Sequence, residues 1–410
     1  KKSAVNPQPG ARPPLRRESA RIAENTHGQM RKLLPLIVVS FIFLHAVAAF
    51  GQRQSNVHIG VLLPFSGSET RTDKMVEFYR GVLMAVDSMS RKKGLNIEVT
   101  ALDCGTSAEE LDRVVGSNAG LKSCDFIIGP QAQSQVEGLT KFCRTNGIRL
   151  VVPFSNIPSK QSNENVYIVS TSGSERASQA ALMFVSVFQG ANVIQLTDVE
   201  GMESSTLTNA VVAQCAASGI SVSRLSVKAS LDEMRRVMSK SRRNVVVVGA
   251  GNLASINSVM SKLDEFTAAS PDYGITVVGG FEWQKFVQQH LHNFYKYDVY
   301  MPATYYRNAI NPANVQFENS YMRQFGVPMI NTSPRFANMG FDIAKFFIQA
   351  VSDYGAEGTL LEENLGALST AQRPLQHGLC FQWSGIGGWV NQSCRFVHYT
   401  TAHNIELLSR

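Results

Sequence analysis

Cysteine is scarce in this 410-residue chain: there are six, at Cys104, Cys124, Cys143, Cys215, Cys380 and Cys394. No two stand as C-x-x-C, which excludes zinc-ribbon and thioredoxin-type motifs. No H-E-x-x-H, G-x-S-x-G or P-loop occurs, so the enzyme classes those motifs mark are excluded too. No nucleophile, base and orienter can be assembled from neighbouring residues. His290 and His292 alternate beside Asn293, but no further ligand stands at metal spacing. Charge is sparse as well, at 17% of residues, and its basic excess is local. The net +7 comes mainly from residues 1–32, which hold eight Lys/Arg and two Asp/Glu; the remainder holds 31 basic and 30 acidic residues, a net +1. The body of the chain thus has no nucleic-acid footprint.

What is present begins with a leader. Met30-Arg31-Lys32 precedes an uncharged apolar run, 33–50, that ends among Ala46, Ala48, Ala49 and Gly51. Charged, apolar, then small is the order of a secretory signal peptide over 30–51. Met30 then reads as the initiator, and 1–29 as upstream sequence without an apolar period. The rival reading is an inner-membrane signal anchor, since 18 apolar residues just reach across a bilayer. No cysteine follows the run, so lipid attachment is not expected. Export to the periplasm makes disulfides available. Cys380 and Cys394 flank a hairpin around Gly385–Gly388, where they would face each other, and they are the pair expected to bridge.

The rest is a succession of short apolar runs that end in Gly, Pro or Asp, each followed by a helical pattern. Strands are expected at 57–63, 96–102, 125–128, 149–152, 166–170, 192–197, 221–228, 244–249, 275–279 and 299–304. Helices are expected at 73–90, 132–146, 203–218, 231–239, 252–267, 312–325 and 337–354. Ser107 and Glu110 stand in capping-box spacing at the head of another. Apolar runs of this length, alternating with helices, predict parallel sheets with right-handed crossovers. The length predicts two α/β units.

The order of several stretches is similar to the type I periplasmic binding-protein superfamily, of the leucine/isoleucine/valine-binding kind. They are Ile59-Gly-Val-Leu-Leu-Pro-Phe65, Glu77-Phe-Tyr-Arg-Gly-Val-Leu-Met-Ala-Val-Asp87, Asp125-Phe-Ile-Ile-Gly-Pro130, Val152-Pro-Phe-Ser155, Gly340-Phe-Asp-Ile-Ala-Lys-Phe-Phe347 and the Gly-Gly-x-x-Asn close at 387–391. The chain looks most like Bacteroidota envelope proteins whose homologous domain accompanies LysM modules, although no LysM-like segment is present. The resemblance implies two Rossmann-like lobes with parallel sheets and a three-crossing hinge near 170–173, 300–305 and 355–372. Lobe one would be 56–170 plus 305–355, and lobe two 173–300 plus 372–410. A small polar ligand, an amino acid or short peptide, would sit between them, with a membrane permease or a cell-envelope component as partner. The rival is a ligand-free envelope scaffold that regulates peptidoglycan synthesis. No enzyme activity and no cofactor are expected.

In such sheets ligands sit beyond the carboxyl ends of the strands. That places Phe65 and Ser66 after the first strand, Gln131 and Ser134 after the third, and Ser155 and Asn156 after the fourth. Helix N-termini there suit a carboxylate. The amino-acid binders' Ala-Thr-Asn type of loop is replaced here by Phe154-Ser155-Asn156. On the facing lobe, Asp198 and Glu282 are candidates for a ligand ammonium, against the plainer reading of solvated helix-cap acids. Tyr305 and Tyr306, near a crossing, are candidates for stacking; Trp283, Tyr295, Tyr297 and Tyr300 read as core. Gly249-Ala-Gly-Asn-Leu-Ala254 matches the dinucleotide fingerprint G-x-G-x-x-A, but it is not in the first βα unit and reads as a tight turn.

Overall fold

The computed structural model describes residues 56–156, 164–199, 206–249, 251–385 and 388–409. The leader, the segment before it, Ala250 and the tip of the C-terminal hairpin lie outside these. Among the described residues no helix is long and apolar enough to cross a membrane.

In chain order the first part runs β1 (Asn56–Leu63), α1 (Glu69–Lys93), β2 (Asn96–Asp103), α2 (Ala108–Ser117), β3 (Phe126–Ile128), α3 (Val136–Asn146), β4 (Arg149–Val152) and β5 (Val166–Ile168). The second runs α4 (Gly173–Val187), β6 (Asn192–Thr197), α5 (Thr206–Ala217), β7 (Val222–Ser226), α6 (Leu231–Val237), β8 (Asn244–Val247), α7 (Leu253–Ala269), β9 (Ile275–Val278), α8 (Val287–Lys296) and β10 (Val299–Ala303). The chain then adds α9 (Pro312–Phe325), α10 (Phe336–Tyr354), α11 (Leu360–Glu363), α12 (Leu365–Ala371), β11 (Phe381–Trp383), β12 (Trp389–Asn391), β13 (Arg395–Tyr399) and β14 (Ile405–Ser409).

The strands form two seven-stranded sheets, ordered β11-β12-β5-β4-β3-β1-β2 and β14-β13-β10-β9-β8-β6-β7. From β2 to β5 and from β7 to β10 the orders correspond, so one topology occurs twice without a visible sequence repeat. The inner strands β3, β4, β8 and β9 are buried along their whole length because helices cover both faces, whereas β7 and β14 at the sheet edges are largely exposed. In β1, Val57, Ile59, Val61 and Leu63 enter the cluster under α1 and α10, while Leu62 enters the cluster under α2 and α3. That is the pleat's period of two. Ser107 caps α2 with Glu110 in a complete capping box, as the spacing implies.

The sheets are mostly parallel rather than wholly so: β11 runs antiparallel to β12, and β13 runs antiparallel to both β10 and β14. The C-terminal assignment is also corrected. The hairpin forms, with Phe381 opposite Asn391 and Trp383 opposite Trp389, but it joins the first sheet through β12–β5 pairing. Only β13 and β14 belong to the second sheet. The third crossing therefore lies at 392–394, between β12 and β13, and not at 355–372, where α11 and α12 pack on the first lobe.

This register also corrects the expected disulfide. Cys380 lies opposite Gln392, whose N–H donates to the Cys380 carbonyl at 2.6 Å. Cys394 is two residues further on, where the chain has turned toward the other sheet. Both thiols are free.

Candidate functional site

The lobe-one loops gather at the carboxyl edge of the neighbouring strands β1, β3 and β4. After β1, the Phe65 N–H donates to Asp103 Oδ1 at 3.1 Å, and its ring packs on Tyr79 at 5.5 Å. Ser66 also bonds to Asp103. Partial burial works to raise that carboxyl, but bonds from Ser66, Gly105 and Phe65 together hold it below the usual range. After β3 the chain passes so close to β1 that a Cβ at Gly129 would fall 2.1 Å from the Leu62 carbonyl oxygen, and φ there is +138°. Only glycine fits this turn.

Beyond it, the half-buried Gln131 makes no hydrogen bond to described residues. Ser134 donates to the Thr106 carbonyl at 3.2 Å, and Gln135 is buried against the carbonyls of Cys104 and Ser107. The buried Ser155 hydroxyl donates to Gln133 Oε1, tying the loop after β4 to the loop after β3. Asn156 is exposed beside them. The structure thus brings Phe65, Ser66, Gln131, Ser134, Ser155 and Asn156 to one sheet edge. Ser66 and Ser134 are engaged in holding the turns.

The lobe-two acids stand apart from each other, at the ends of β6 and β9 with β8 between them. Asp198 has φ 57°, and its carboxylate accepts from the hydroxyls of Ser226 and Thr197, which hold its pKa below the ordinary value. Glu282 is exposed, with its side chain against Gly251. Trp283 beside it is wholly buried in the lobe-two core, as are Tyr297 and Tyr300. The Gly249 turn is a βα turn in which Asn252 caps α7 by accepting from the Ser255 N–H at 2.8 Å. His290 is buried and stacks on Phe294. No group of acid, histidine and cysteine side chains that could hold a metal occurs among the described residues.

Tyr305 belongs to the hinge. It pairs with His377 as an isolated bridge and stacks on that ring at 5.4 Å. It also lines a crevice of about 450 Å³ with Gln284 and Val287 of lobe two and Asn331 and Arg335 of lobe one. None of the lobe-one strand-end residues lines that crevice.

Several residues were not legible in the sequence. Asn391, the last residue of the Gly-Gly-x-x-Asn stretch, is buried and ties the crossings together. Its Nδ2 donates to the carbonyls of Val169 and Gly378, each at 3.3 Å, and its Oδ1 accepts from the N–H groups of Cys380 and Ser393. Asp342 on α10 accepts from the N–H groups of Leu375, Gln376 and His377, each at 2.8 Å, and so fixes the segment beside the second crossing. Arg176, in the first turn of α4, holds its guanidinium 5.2 Å from the Phe281 ring, with Nε buried and unbonded. A cation there opposes the helix dipole. Such a local breach of the usual rules marks functional positions more often than others. The available signal was an Arg directly after the Ser172…Glu175 capping box.

Two lobes of this topology, hinged by three crossings with polar loops at the strand ends, define the type I periplasmic binding-protein fold. The chain belongs to the periplasmic binding protein family, which matches residues 56–364. Among solved structures it is similar to a candidate branched-chain amino acid ABC transporter protein of Rhodospirillum rubrum. That likeness has 13% identity, covers 86% of this chain and 100% of the other, and has a TM-score of 0.57. It is also similar to an ABC transporter substrate-binding protein of Desulfitobacterium hafniense in complex with Leu, at 16% identity, 86% and 100% coverage and a TM-score of 0.44. A solute-binding protein of R. palustris in complex with benzoate matches at 17% identity, 87% and 96% coverage and a TM-score of 0.41. No curated protein matches the chain. At these identities the likeness is one of fold.

Proposed function

We propose that this is an exported, non-enzymatic solute-binding protein that holds a small polar ligand, an amino acid or short peptide, between its lobes and presents it to the permease of an ABC transporter. The observation that carries this reading is the lobe-one edge. There the side-chain amides of Gln131 and Asn156, which make no hydrogen bond to described residues, lie beside the linked Ser155–Gln133 pair, near the head of α3. The positive end of that helix's dipole suits a ligand carboxylate. In lobe two, Glu282 is the acid left for an ammonium, because Asp198 is already bonded to Ser226 and Thr197. Arg176 adds a cation on the same lobe. The leader over 30–51 supplies export to the periplasm.

Calorimetric titration against free amino acids, dipeptides and cell-wall peptides tests this. One class is expected to bind, and Gln131→Ala and Ser155→Ala are each expected to weaken it by about tenfold to a hundredfold, the range for a hydrogen bond to a charged group. The internally bonded Asp198 and the stacked Tyr305 favour the ligand-free envelope scaffold instead. Binding of none of these ligands, together with capture of an envelope protein, would move the assignment there.

A further inference from the structure

Beside the third crossing lies a second cavity, of about 630 Å³, whose walls belong to different lobes. The first lobe supplies α12 and the start of β11, with Thr370 and Arg373. The second supplies α4 and the start of β13, with Gln179 and Arg395. The cavity shares no residue with the strand-end loops or with the Tyr305 crevice. Its lining is rich in hydroxyls and amides and contains no Asp or Glu.

It does contain two arginines without a carboxylate of their own. Arg395 is half-buried, and its guanidinium makes no ion pair or hydrogen bond to any described residue. Burial works against its charge, and the carboxylate whose field favours that charge is Asp342. Both oxygens of Asp342 are already taken by the 375–377 backbone. Arg373 donates only to the carbonyls of Thr370 and Gln372. Gly378 packs against two of the lining residues. A Cβ there would meet Arg395 Nη2 and Ser393 Oγ, both at 2.5 Å, so the missing side chain lets guanidinium and hydroxyl sit together. Gln179 Nε2 donates to Gln392 Oε1, linking α4 to the crossing along one wall.

A guanidinium withdrawn from water without a counter-charge is costly, and it is stabilised by an anion that meets its planar fork. The cavity is of the size that small-molecule sites have. We propose that this hinge cavity binds a small organic oxyanion, a carboxylate or a phosphate ester, with Arg395 as the principal contact, Arg373 at the mouth and the Ser393 and Thr370 hydroxyls beside them. Because the walls belong to different lobes, an occupant bridges them, and its binding is linked to the angle between the lobes.

The test is calorimetric titration of the chain with inorganic phosphate and, separately, with citrate, at one ionic strength. Saturable binding of at least one probe is expected, weakened by about tenfold or more in Arg395→Gln and by a smaller factor in Arg373→Gln. Arg395→Lys, which keeps the charge but loses the fork, should fall between parent and Arg395→Gln. Phosphate alone would identify a phosphate ester as the ligand class, and citrate alone a carboxylate. Arg373 is exposed, so its variant is expected to fold even if Arg395→Gln does not. Failure of both probes to bind, or binding that the variants leave unchanged, overturns the proposal. Either result leaves the strand-end site untouched, because no residue is shared.

Discussion

Asp342 and His377 are buried next to the second crossing and titrate in opposing senses. Burial pushes the Asp342 carboxyl up to about 6, against the pull of its three N–H donors. The folded chain therefore holds this proton more tightly than the unfolded chain. Its contribution to stability is full below 3.8 and is lost as pH rises through about 6. Burial, followed by the charge of Arg395, pushes the His377 imidazole down to about 3. Its contribution is full above 6.5 and is lost as pH falls through about 3. Between pH 4 and 6 each slope is about 1.4 kcal/mol per pH unit, and the two cancel. Asp342→Asn should therefore make stability rise with pH relative to the parent across that interval, and His377→Gln should make it fall. Urea unfolding of all three proteins at several pH values measures this; parallel profiles would refute it. Neither residue was legible in advance. Ser107 and Glu110 announce a cap because their partners are three residues apart, whereas Asp342 is bonded to donors 33 to 35 residues away and Asn391 to a carbonyl 222 residues away. Sequence spacing carries no record of such pairings.

Two helices from opposite ends of lobe one, α1 and α10, meet with their backbones almost in contact. A Cβ at Gly81 would fall 2.0 Å from the Ala337 carbonyl oxygen, and one at Gly340 would fall 2.1 Å from that of Phe78. Alanine at either position must push backbone from backbone. Each substitution should cost about 1–3 kcal/mol, and the pair less than the sum, because the first already separates the helices. Gly116 in α2 is exposed with nothing near its missing Cβ, so Gly116→Ala should instead stabilise by up to about 1 kcal/mol. Thermal or urea unfolding of the four variants decides; additive losses at 81 and 340 would contradict the shared contact. Both helices were legible from their apolar period: α1 (Glu69–Lys93) contains the expected 73–90 and runs beyond it at both ends, and α10 (Phe336–Tyr354) starts one residue before the expected 337. The first ten strands were legible from their apolar runs and turn residues, whereas β14 (Ile405–Ser409) was not expected. What they pair with was not always so. The last hairpin was read from its glycine turn, but nothing local states that β12 lies beside β5 while β13 lies beside β10. The aromatic, amphipathic α8 (Val287–Lys296) was missed, its histidines weighed only as metal ligands and its Tyr295 read only as core.

At the scale of the molecule, neither lobe is complete until the chain is nearly finished. The first sheet takes β11 and β12 from after residue 380, and the second takes β13 and β14 from after 394. The family match ends at 364, before all four of these strands. A chain ended there would leave β5 with an open edge, although all three of its residues are buried. It would also bare β10, whose five residues Val299–Ala303 are buried as well. Asp342 would lose its three donors, and the third crossing would be gone. Two unpaired apolar edges are templates for intermolecular pairing. A fragment spanning 56–364 is therefore expected to elute as soluble aggregate or to be insoluble, while 56–410 elutes as a single species of chain size. Size-exclusion chromatography with near-ultraviolet circular dichroism reads both outcomes. A monomeric fragment with the parent's aromatic signal would mean that the lobes close without their last strands. The hinge would then need only two crossings, and the assignment of Asn391 as its tie would fall.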